Sequence, residues 1–513
     1  MRIGIDVGGT NTDAVLMDGN QVVGEYKTPT TPDVTTGITA ALNRILDQTG
    51  VPTDKIEAVM IGTTHFTNAV VERKRLMEVA AIRLGLPATE CLPPMVDWPA
   101  DLREVIGNHK YLCHGGHEFD GRLISPLDEQ EIIEVAQDIK AKGLKSAAIS
   151  SVFSPVNSEM ENRAAEILQE EVPGITISLS HEIGRIGLLE RENAAIMNAC
   201  LRDLANRIVD SFRQALGDMK IDASFFISQN DGTLMSAEFA GQYPVLTFAS
   251  GPTNSMRGAA FLSGVKDAMV VDLGGTTSDV GMLIHGFPRE ASVAVEIGGV
   301  RTNFRMPDVY SFGLGGGSIV SNHPLKIGPQ SVGYELTTQG MVFGGSVMTA
   351  TDMAVAGDLV DIGDKQVVQS LDSNLVKDVL NEIQSMVDNA VDRMKTSADP
   401  IPVILVGGGT ILVSRTVEGA SEMLKPDHFP VANAVGAAIA QVGGEIDRVF
   451  SLEKTSRDEV LDQAKQEASN KAIAAGAKQE TVHIVDVEEV PLTYLPSNAV
   501  RVRVKAVGDL ALS

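Results

Sequence analysis

"DVGGTNTDA", Asp6 to Ala14, lies between two apolar, strand-like runs in the opening "MRIGIDVGGTNTDAVLMDG". A tight hairpin wants glycine at its bend. It does not want an acid at the end of its first strand, nor Thr10, Asn11, Thr12 and Asp13 in succession. The same order of residue types returns as "VVDLGGTTSDVGML", Val270 to Leu283. A single such turn reads equally well as an ordinary hairpin with Asp as a turn former; two copies, each between strands, weaken that reading. Two halves that each open strand, Asp-x-Gly-Gly-Thr, strand predict a duplicated, two-lobed α/β chain with a nucleotide cleft between its lobes.

The chemistry of the turns follows from their residue types. Gly8 and Gly9, like Gly274 and Gly275, let backbone N–H groups approach phosphate oxygens closely, and Thr10, Asn11, Thr12, Thr276, Thr277 and Ser278 add donors. A carboxylate at the strand end repels phosphate, so Asp6 and Asp272 either hold Mg²⁺ between the lobes, usually through water, or bond the amides of their own turns. Asp13 and Asp279 are candidates for orienting a nucleophile or assisting the metal; solvated strand-start residues are the alternative. A third cluster in "VILVGGGTIL", Gly407, Gly408, Gly409 and Thr410, offers side-chain-free backbone to a purine and ribose.

Composition narrows the field. The chain has 513 residues, 43% hydrophobic and 21% charged, the proportions of a globular protein large enough for two or three domains. Its net charge of −25 repels a nucleic-acid backbone, so polyphosphate must be bound through amides and a cation. Cys91, Cys113 and Cys200 are too few and scattered for a disulfide framework. There is no membrane-length apolar run and no signal-like start, and a cytoplasmic protein is expected.

Three parts are expected along the chain. The first, 1–187, begins with three strands and a helix over 33–48 and carries an irregular insertion at about 85–127. The second, 188–450, begins with a long connector helix and includes a Gly-rich insertion at about 290–345. The last, 451–513, is a small α+β module with the alternating strand "AVRVRVKAVG".

Substrate contacts are expected at "GTTHFTN", where a central strand gives way to a helix: Thr63, Thr64, His65 and Asn68. His65 can exchange a proton with an amide near neutral pH, or simply cap the helix. "SFGLGGGSIV" brings Gly315, Gly316, Gly317 and Ser318 close to substrate or γ-phosphate, or makes a structural turn over the cleft; Asp308 just before it is a further candidate. Cys113, His114 and His117 have metal-like spacing but no fourth ligand nearby, and read as a surface loop.

The stretches "IDVGGTNTDAV", "IGTTHFTNAVVER", "GGHEFDGRLISPLD", "ERENAAIMNACL", "QNDGTLMSAE", "SGPTNSMRGA", "VVDLGGTTSDVG", "SFGLGGGSIV", "TATDMAVAGDL" and "VANAVGAAIA" together resemble the hydantoinase A / 5-oxoprolinase family, within the actin, Hsp70 and sugar-kinase ATPase superfamily. The resemblance implies an actin-like ATPase fold of duplicated ribonuclease-H-like domains, ATP and Mg²⁺ as cofactors, and opening of a cyclic amide after ATP phosphorylates its carbonyl oxygen. It also implies a hydantoinase B-like or other metal-binding partner subunit, with a homodimer left open and neither nucleic acid nor membrane as partner. A small-molecule kinase and a non-catalytic ATP-dependent switch are the alternatives. The short tail after residue 450 departs from the longer members, which bears on both partner and substrate.

Overall fold

In the computed structural model, which describes residues 1–30, 34–291, 294–453, 455–493 and 498–511, both motifs are hairpins of the same register. Arg2–Val7 pairs antiparallel with Asn11–Asp18, setting Asp6 opposite Asp13. Ala268–Leu273 pairs antiparallel with Ser278–Ile284, setting Asp272 opposite Asp279.

Each hairpin sits in an α/β sheet of the same order, so the chain is a two-lobed, actin-like α/β protein. In the first lobe the strands run Gln21–Pro29, Asn11–Asp18, Arg2–Val7, Ala58–Thr63, Ser224–Ser228. In the second they run Phe287–Pro288, Ser278–Ile284, Ala268–Leu273, Ile401–Val406, Ala420–Leu424. The fourth strand is parallel to the first in both lobes.

The two-residue period of the strands decides where the acids point. Ile3, Ile5, Val7, Ala14 and Leu16 pack under the helix Val34–Thr49, whereas Val15 and Met17 pack against the helix Ala432–Ala438. Asp13 shares the second face with Val15 and Met17, and Asp6 shares it with Gly4, whose added Cβ would lie 2.2 Å from the Ala434 carbonyl oxygen. In the second lobe Ala268, Val270 and Leu283 face the helix Ser250–Ser263, and Asp272 and Asp279 stand on that face.

The helices Ser250–Ser263 and Ala432–Ala438 cross between the lobes. A Cβ on Gly258 would lie 1.8 Å from the Ala432 carbonyl oxygen, and one on Gly436 would lie 1.8 Å from the Asn254 carbonyl oxygen. The contact is reciprocal: each helix offers a carbonyl to the glycine one turn along the other. Glycine is obligatory here because backbone touches backbone.

Sheet membership cuts across the expected domain boundaries. The strands Ala80–Leu86, His109–His114, Ser146–Ser151 and Thr176–Leu179 form a separate parallel sheet. The insertion in the first lobe therefore reaches well beyond 85–127 and takes in the regular α/β alternation that follows; alternation alone does not say which sheet a strand joins. Cys113 and His117 are buried within this unit rather than on a surface loop, and burial pushes the Cys113 thiol up to about 12. The long helix Leu188–Asp218 packs on both sheets.

The tail after residue 450 is not a free-standing module. Its strands His483–Pro491 and Ala499–Gly508 extend the first lobe's sheet through Thr233–Ser236 and Gln441–Ser451, making nine strands among the described residues, with the helix Arg457–Ala474 on one face. In the second lobe the hairpin of Val295–Ile297 and Val300–Thr302 reaches across to the first, where Ile297 and Val300 join a core with Ala195, Met197 and Trp98. Asp33, the expected first residue of the early helix, lies outside the described residues. No helix among the described residues is long and apolar enough to cross a membrane.

Replacing Gly436 with Ala forces the crossing apart. It should cost about 1–3 kcal/mol of stability, as overpacking typically does, measurable by chemical denaturation.

Candidate active site

The two hairpin turns, the segment after Ile401–Val406 and the ends of the crossing helices enclose a cavity of about 590 Å³, a size typical of small-ligand sites. Gly8, Gly9, Thr10 and Asn11 line it from one lobe and Gly274, Gly275, Thr276 and Thr277 from the other, with Gly407, Gly408 and Gly409 beside them. The turns are closed alike, by Gly8 N–H donating to Asn11 O and Gly274 N–H to Thr277 O, both at 3.0 Å. Their tips meet: the Thr10 and Thr276 hydroxyls are 3.0 Å apart. Added Cβ atoms on Gly9 and Gly408 would meet nothing within 4 Å, so bare backbone there faces open space.

Both strand-end acids are built into the crossing. Asp6 is 3% exposed; its Oδ1 accepts from Asn254 Nδ2 at 3.2 Å and its Oδ2 from Asn433 Nδ2 at 3.1 Å. Asn433 Nδ2 also donates to Asp13 Oδ2 at 2.8 Å, and Lys27 Nζ donates to Asp13 Oδ1 at 2.6 Å. Asp272 accepts from the Ser255 hydroxyl, and Asp279 from the Ser311 hydroxyl. Ser255 and Asn433 each follow the residue whose carbonyl or neighbour meets a glycine in the crossing, so the helices that hold the lobes together also orient the acids.

Room for these carboxylates is made by the adjacent strand. A Cβ on Gly62 would lie 2.3 Å from Asp6 Oδ1, and one on Gly407 would lie 2.3 Å from Asp272 Oδ1. Gly407 also has φ of +85°, a conformation glycine adopts freely.

Asp6, Asp13, Asp272 and Asp279 line the cavity with Lys27 as the one cation among the lining residues. Burial, reinforced by neighbouring acids, pushes Asp6 up to about 6 despite its two amide donors. Burial likewise pushes Asp279 to about 6 and raises Asp13 and Asp272. Such a site favours a cation arriving with the polyphosphate. Among the described residues no cluster of three or more His, Cys, Asp or Glu forms a cage for a metal. The donor set is compatible with Mg²⁺, which Asp6 and Asp272 would hold through water rather than directly.

Several residues expected to touch ligand lie elsewhere. Thr12 and Ser278 are fully buried because the two-residue period turns them away from the cleft; Thr12 meets Thr30 and Ser278 donates to Leu314 O at 2.7 Å. Thr410 is also buried outside the lining. Thr64 and Asn68 line the cavity, but Thr63 is tied to Ser250 through its backbone, and His65 Nδ1 lies 2.7 Å from the Thr63 hydroxyl at the helix start. Asp308 is held by Arg289 at 2.6 Å and is not a lining residue.

In the Gly-rich segment only Gly316 lines the cavity. Gly316 N–H donates to Gly274 O at 3.0 Å and Gly317 N–H to Gly275 O at 2.7 Å, and a Cβ on Gly315 would lie 2.5 Å from Gly275 backbone. Ser318 Oγ accepts from Gly315 N–H at 2.8 Å. The segment braces the second phosphate turn from behind. Sequence reading missed Lys27, Asn254, Ser255 and Asn433, although the last three stand in "SGPTNSMRGA" and "VANAVGAAIA"; Lys27 carries no local signal.

Fold and cavity define a two-lobed α/β protein with a small-ligand cleft between duplicated hairpins. Residues 2–172 match the hydantoinase/oxoprolinase N-terminal region and residues 191–395 match hydantoinase/oxoprolinase; the chain belongs to the hydantoinase/oxoprolinase family. It is 27% identical over 398 residues to caprolactamase subunit alpha of Pseudomonas jessenii, covering 70% of this chain and 55% of the relative. It is 27% identical over 393 residues to the acetophenone carboxylase gamma subunit of Aromatoleum aromaticum, covering 69% and 52%. The matches span about half the length of these relatives. The fold is shared with the crystal structure of the ATP-dependent caprolactamase from Pseudomonas jessenii, at a TM-score of 0.80 and 20% identity over 100% of this chain and 88% of that one. An acetone carboxylase structure shares it at a TM-score of 0.72 and 17% identity over the same shares.

Asp6→Asn should separate function from stability. Because the folded-state pKa of Asp6 is raised from 3.8 to about 6, the nucleotide-free native state holds this proton more tightly than the unfolded chain. Stability therefore falls as pH rises through that window, and the loss is complete above it. The Asn variant has no proton to lose, though its NH2 faces a donor amide, so stability should no longer depend on pH through that window in denaturation on either side of it, while ATP turnover, on the function proposed below, falls by about 10²-fold or more.

Proposed function

We propose that this chain is the ATP-using part of an enzyme that opens a cyclic amide of the hydantoin or 5-oxoproline kind by phosphorylating its carbonyl oxygen. The observation that carries the proposal is the pair of Asp-x-Gly-Gly-Thr hairpins facing each other across one cavity with four carboxylates and a single lysine. Membership of a family whose relatives include an ATP-dependent caprolactamase supports it.

An amide carbon is a poor electrophile. Transfer of the γ-phosphoryl group breaks its P–O bond to ADP and makes one to the amide oxygen, after which water adds to the carbon. The C–N bond then breaks, the amine takes a proton, and hydrolysis of the remaining acyl phosphate yields carboxylate and phosphate. Catalysis of the first step is positioning and charge neutralisation. The amides of Gly8 to Asn11 and Gly274 to Thr277 cradle the phosphates, and Gly407 to Gly409 lie against the nucleoside. Mg²⁺, when bound through water near Asp6 and Asp272, supplies charge neutralisation between phosphates and acids. Asp279, on the rim and tuned near neutrality, accepts the proton of the attacking water. Thr64, Asn68 and Gly316 face the acceptor.

A second subunit completes the enzyme. Caprolactamase alpha, acetophenone carboxylase gamma and acetone carboxylase beta are by name subunits of larger assemblies. Two of these names also favour a second reading, carbonyl phosphorylation serving carboxylation of a ketone. Both readings begin with the same phosphoryl transfer.

Incubating the chain, with its co-purifying or genomically neighbouring subunit, with ATP and a panel of lactams and hydantoins should yield ring-opened amino acid, ADP and phosphate in equal amounts. A stable phosphorylated product would point to a kinase, and turnover that requires bicarbonate and a ketone would establish the carboxylase reading. Turnover should also decline as pH drops below about 6, the value to which Asp279 is raised, because the base must be unprotonated. Asp279→Asn should lower turnover by about 10²-fold and remove that acid limb, as read from rate–pH profiles.

A further inference from the structure

A second cavity, of about 1030 Å³, lies against the first lobe's sheet beside the C-terminal end of the helix Arg457–Ala474, where Lys471 and Ala474 line it. Distant parts of the chain wall it, among them residues 181–186 after the inserted sheet, the strands Thr233–Ser236 and Gln441–Ser451, and Arg501 and Lys505 of Ala499–Gly508 from the tail. The alternating "AVRVRVKAVG" puts Val502, Val504 and Ala506 into the core beneath that helix and Arg501, Arg503 and Lys505 on the opposite face.

Five cations and four acids, all with side chains less than a quarter exposed, gather there. Four pairs account for most of them. Arg501 grips Asp447 with two bonds, at 2.7 and 2.5 Å; Lys505 Nζ lies 2.9 Å from Asp231; Arg305 pairs with Glu445, and Arg503 with Glu290. Arg503 draws also on Asp486 and Glu488 of the neighbouring edge strand. Arg185 shares Glu290 with Arg503.

Arg185 has one side-chain hydrogen bond, Nη2 to Glu290 Oε2 at 3.2 Å, on an oxygen that Arg503 also holds. Its Nε is buried without a hydrogen-bond partner, 3.8 Å from an Asp447 carboxylate already gripped by Arg501. The backbone that carries it is fixed, since Arg185 N–H donates to Asn303 Oδ1 at 3.1 Å and its carbonyl accepts from the buried Arg191 at 3.0 Å. A preorganised guanidinium with donors to spare suits a carboxylate. Beside it the walls are apolar, with Met235 and Phe304 each 3% exposed and Leu246 and Ile446 near them. Arg185 thus brings to the cavity a buried N–H with no hydrogen-bond partner, a donor that an anionic group would satisfy.

We propose that this second cavity binds a small organic carboxylate, its acid group on Arg185 and its apolar body against Phe304, Met235 and Leu246. The site is separate from the nucleotide cleft, and its occupancy does not depend on the reaction proposed above.

The test is titration calorimetry on the full chain without nucleotide, using linear carboxylates from acetate to octanoate, the neutral amides of the same lengths, and inorganic phosphate. One saturable site per chain is expected, with affinity rising with chain length and no comparable binding of the amides. Arg185→Gln should weaken binding by about tenfold or more, the worth of a charge-assisted hydrogen bond, and Arg185→Lys should retain part of it, with the melting temperature of each variant confirming its fold. The proposal fails if no carboxylate binds at millimolar concentration, if amides bind equally, if phosphate binds while chain length has no effect, or if folded Arg185→Gln binds undiminished.

Discussion

Everything at the nucleotide cleft depends on the contact of two helices through glycine. Gly258 and Gly436 let the backbones of Ser250–Ser263 and Ala432–Ala438 touch, each against a carbonyl of the other. Because Asn254 and Ser255 project from one helix and Asn433 from the other, this contact fixes the donors that hold Asp6 and Asp272. A protein interior is close-packed and yields little to displacement, so the distance between the two phosphate turns is set at the crossing. The meeting of Thr10 with Thr276 is its outcome at the far end of the hairpins.

The electrostatics of the cleft follow from where the fold puts its acids. A buried carboxylate without a cation is costly, and amide donors on Asp6 relieve only part of that cost, as its raised pKa records. The four acids concentrate negative charge in the cleft, which a cation there would relieve. Natural sequences tolerate such local cost at functional sites and offset it elsewhere. The buried pair of Arg83 and Glu192 is satisfied within the protein and is not part of that strain.

Much of this was legible in the sequence because the decisive features are local. Asp, two glycines and Thr between apolar runs announce a strand-end turn, and repetition of the pattern announces the second lobe. The alternation of strand residues was equally readable, yet taking all of "GGTNT" and "GGTTS" as ligand contacts overlooked it: Thr12 and Ser278 already belong to strands and point into the core. What was not legible is which strand joins which sheet. The residues after 450 look like a separate module, but their pairing with Gln441–Ser451 depends on partners hundreds of residues away. Lys27, Asn254 and Asn433 gain their meaning the same way, from neighbours that only the fold assembles. The Gly-rich segment was expected to approach substrate or γ-phosphate, or else to form a structural turn over the cleft; its glycines lie against the second hairpin turn.

The hairpin 295–302 adds a consequence for motion. It leaves the second lobe and is packed into the first lobe's core, where Arg73 Nη2 holds the Gly298 carbonyl at 2.9 Å. The two lobes are thus joined at the crossing and again by this strap, unlike jaws on a single hinge. Two such ties leave the lobes room for small sliding displacements rather than a wide gape.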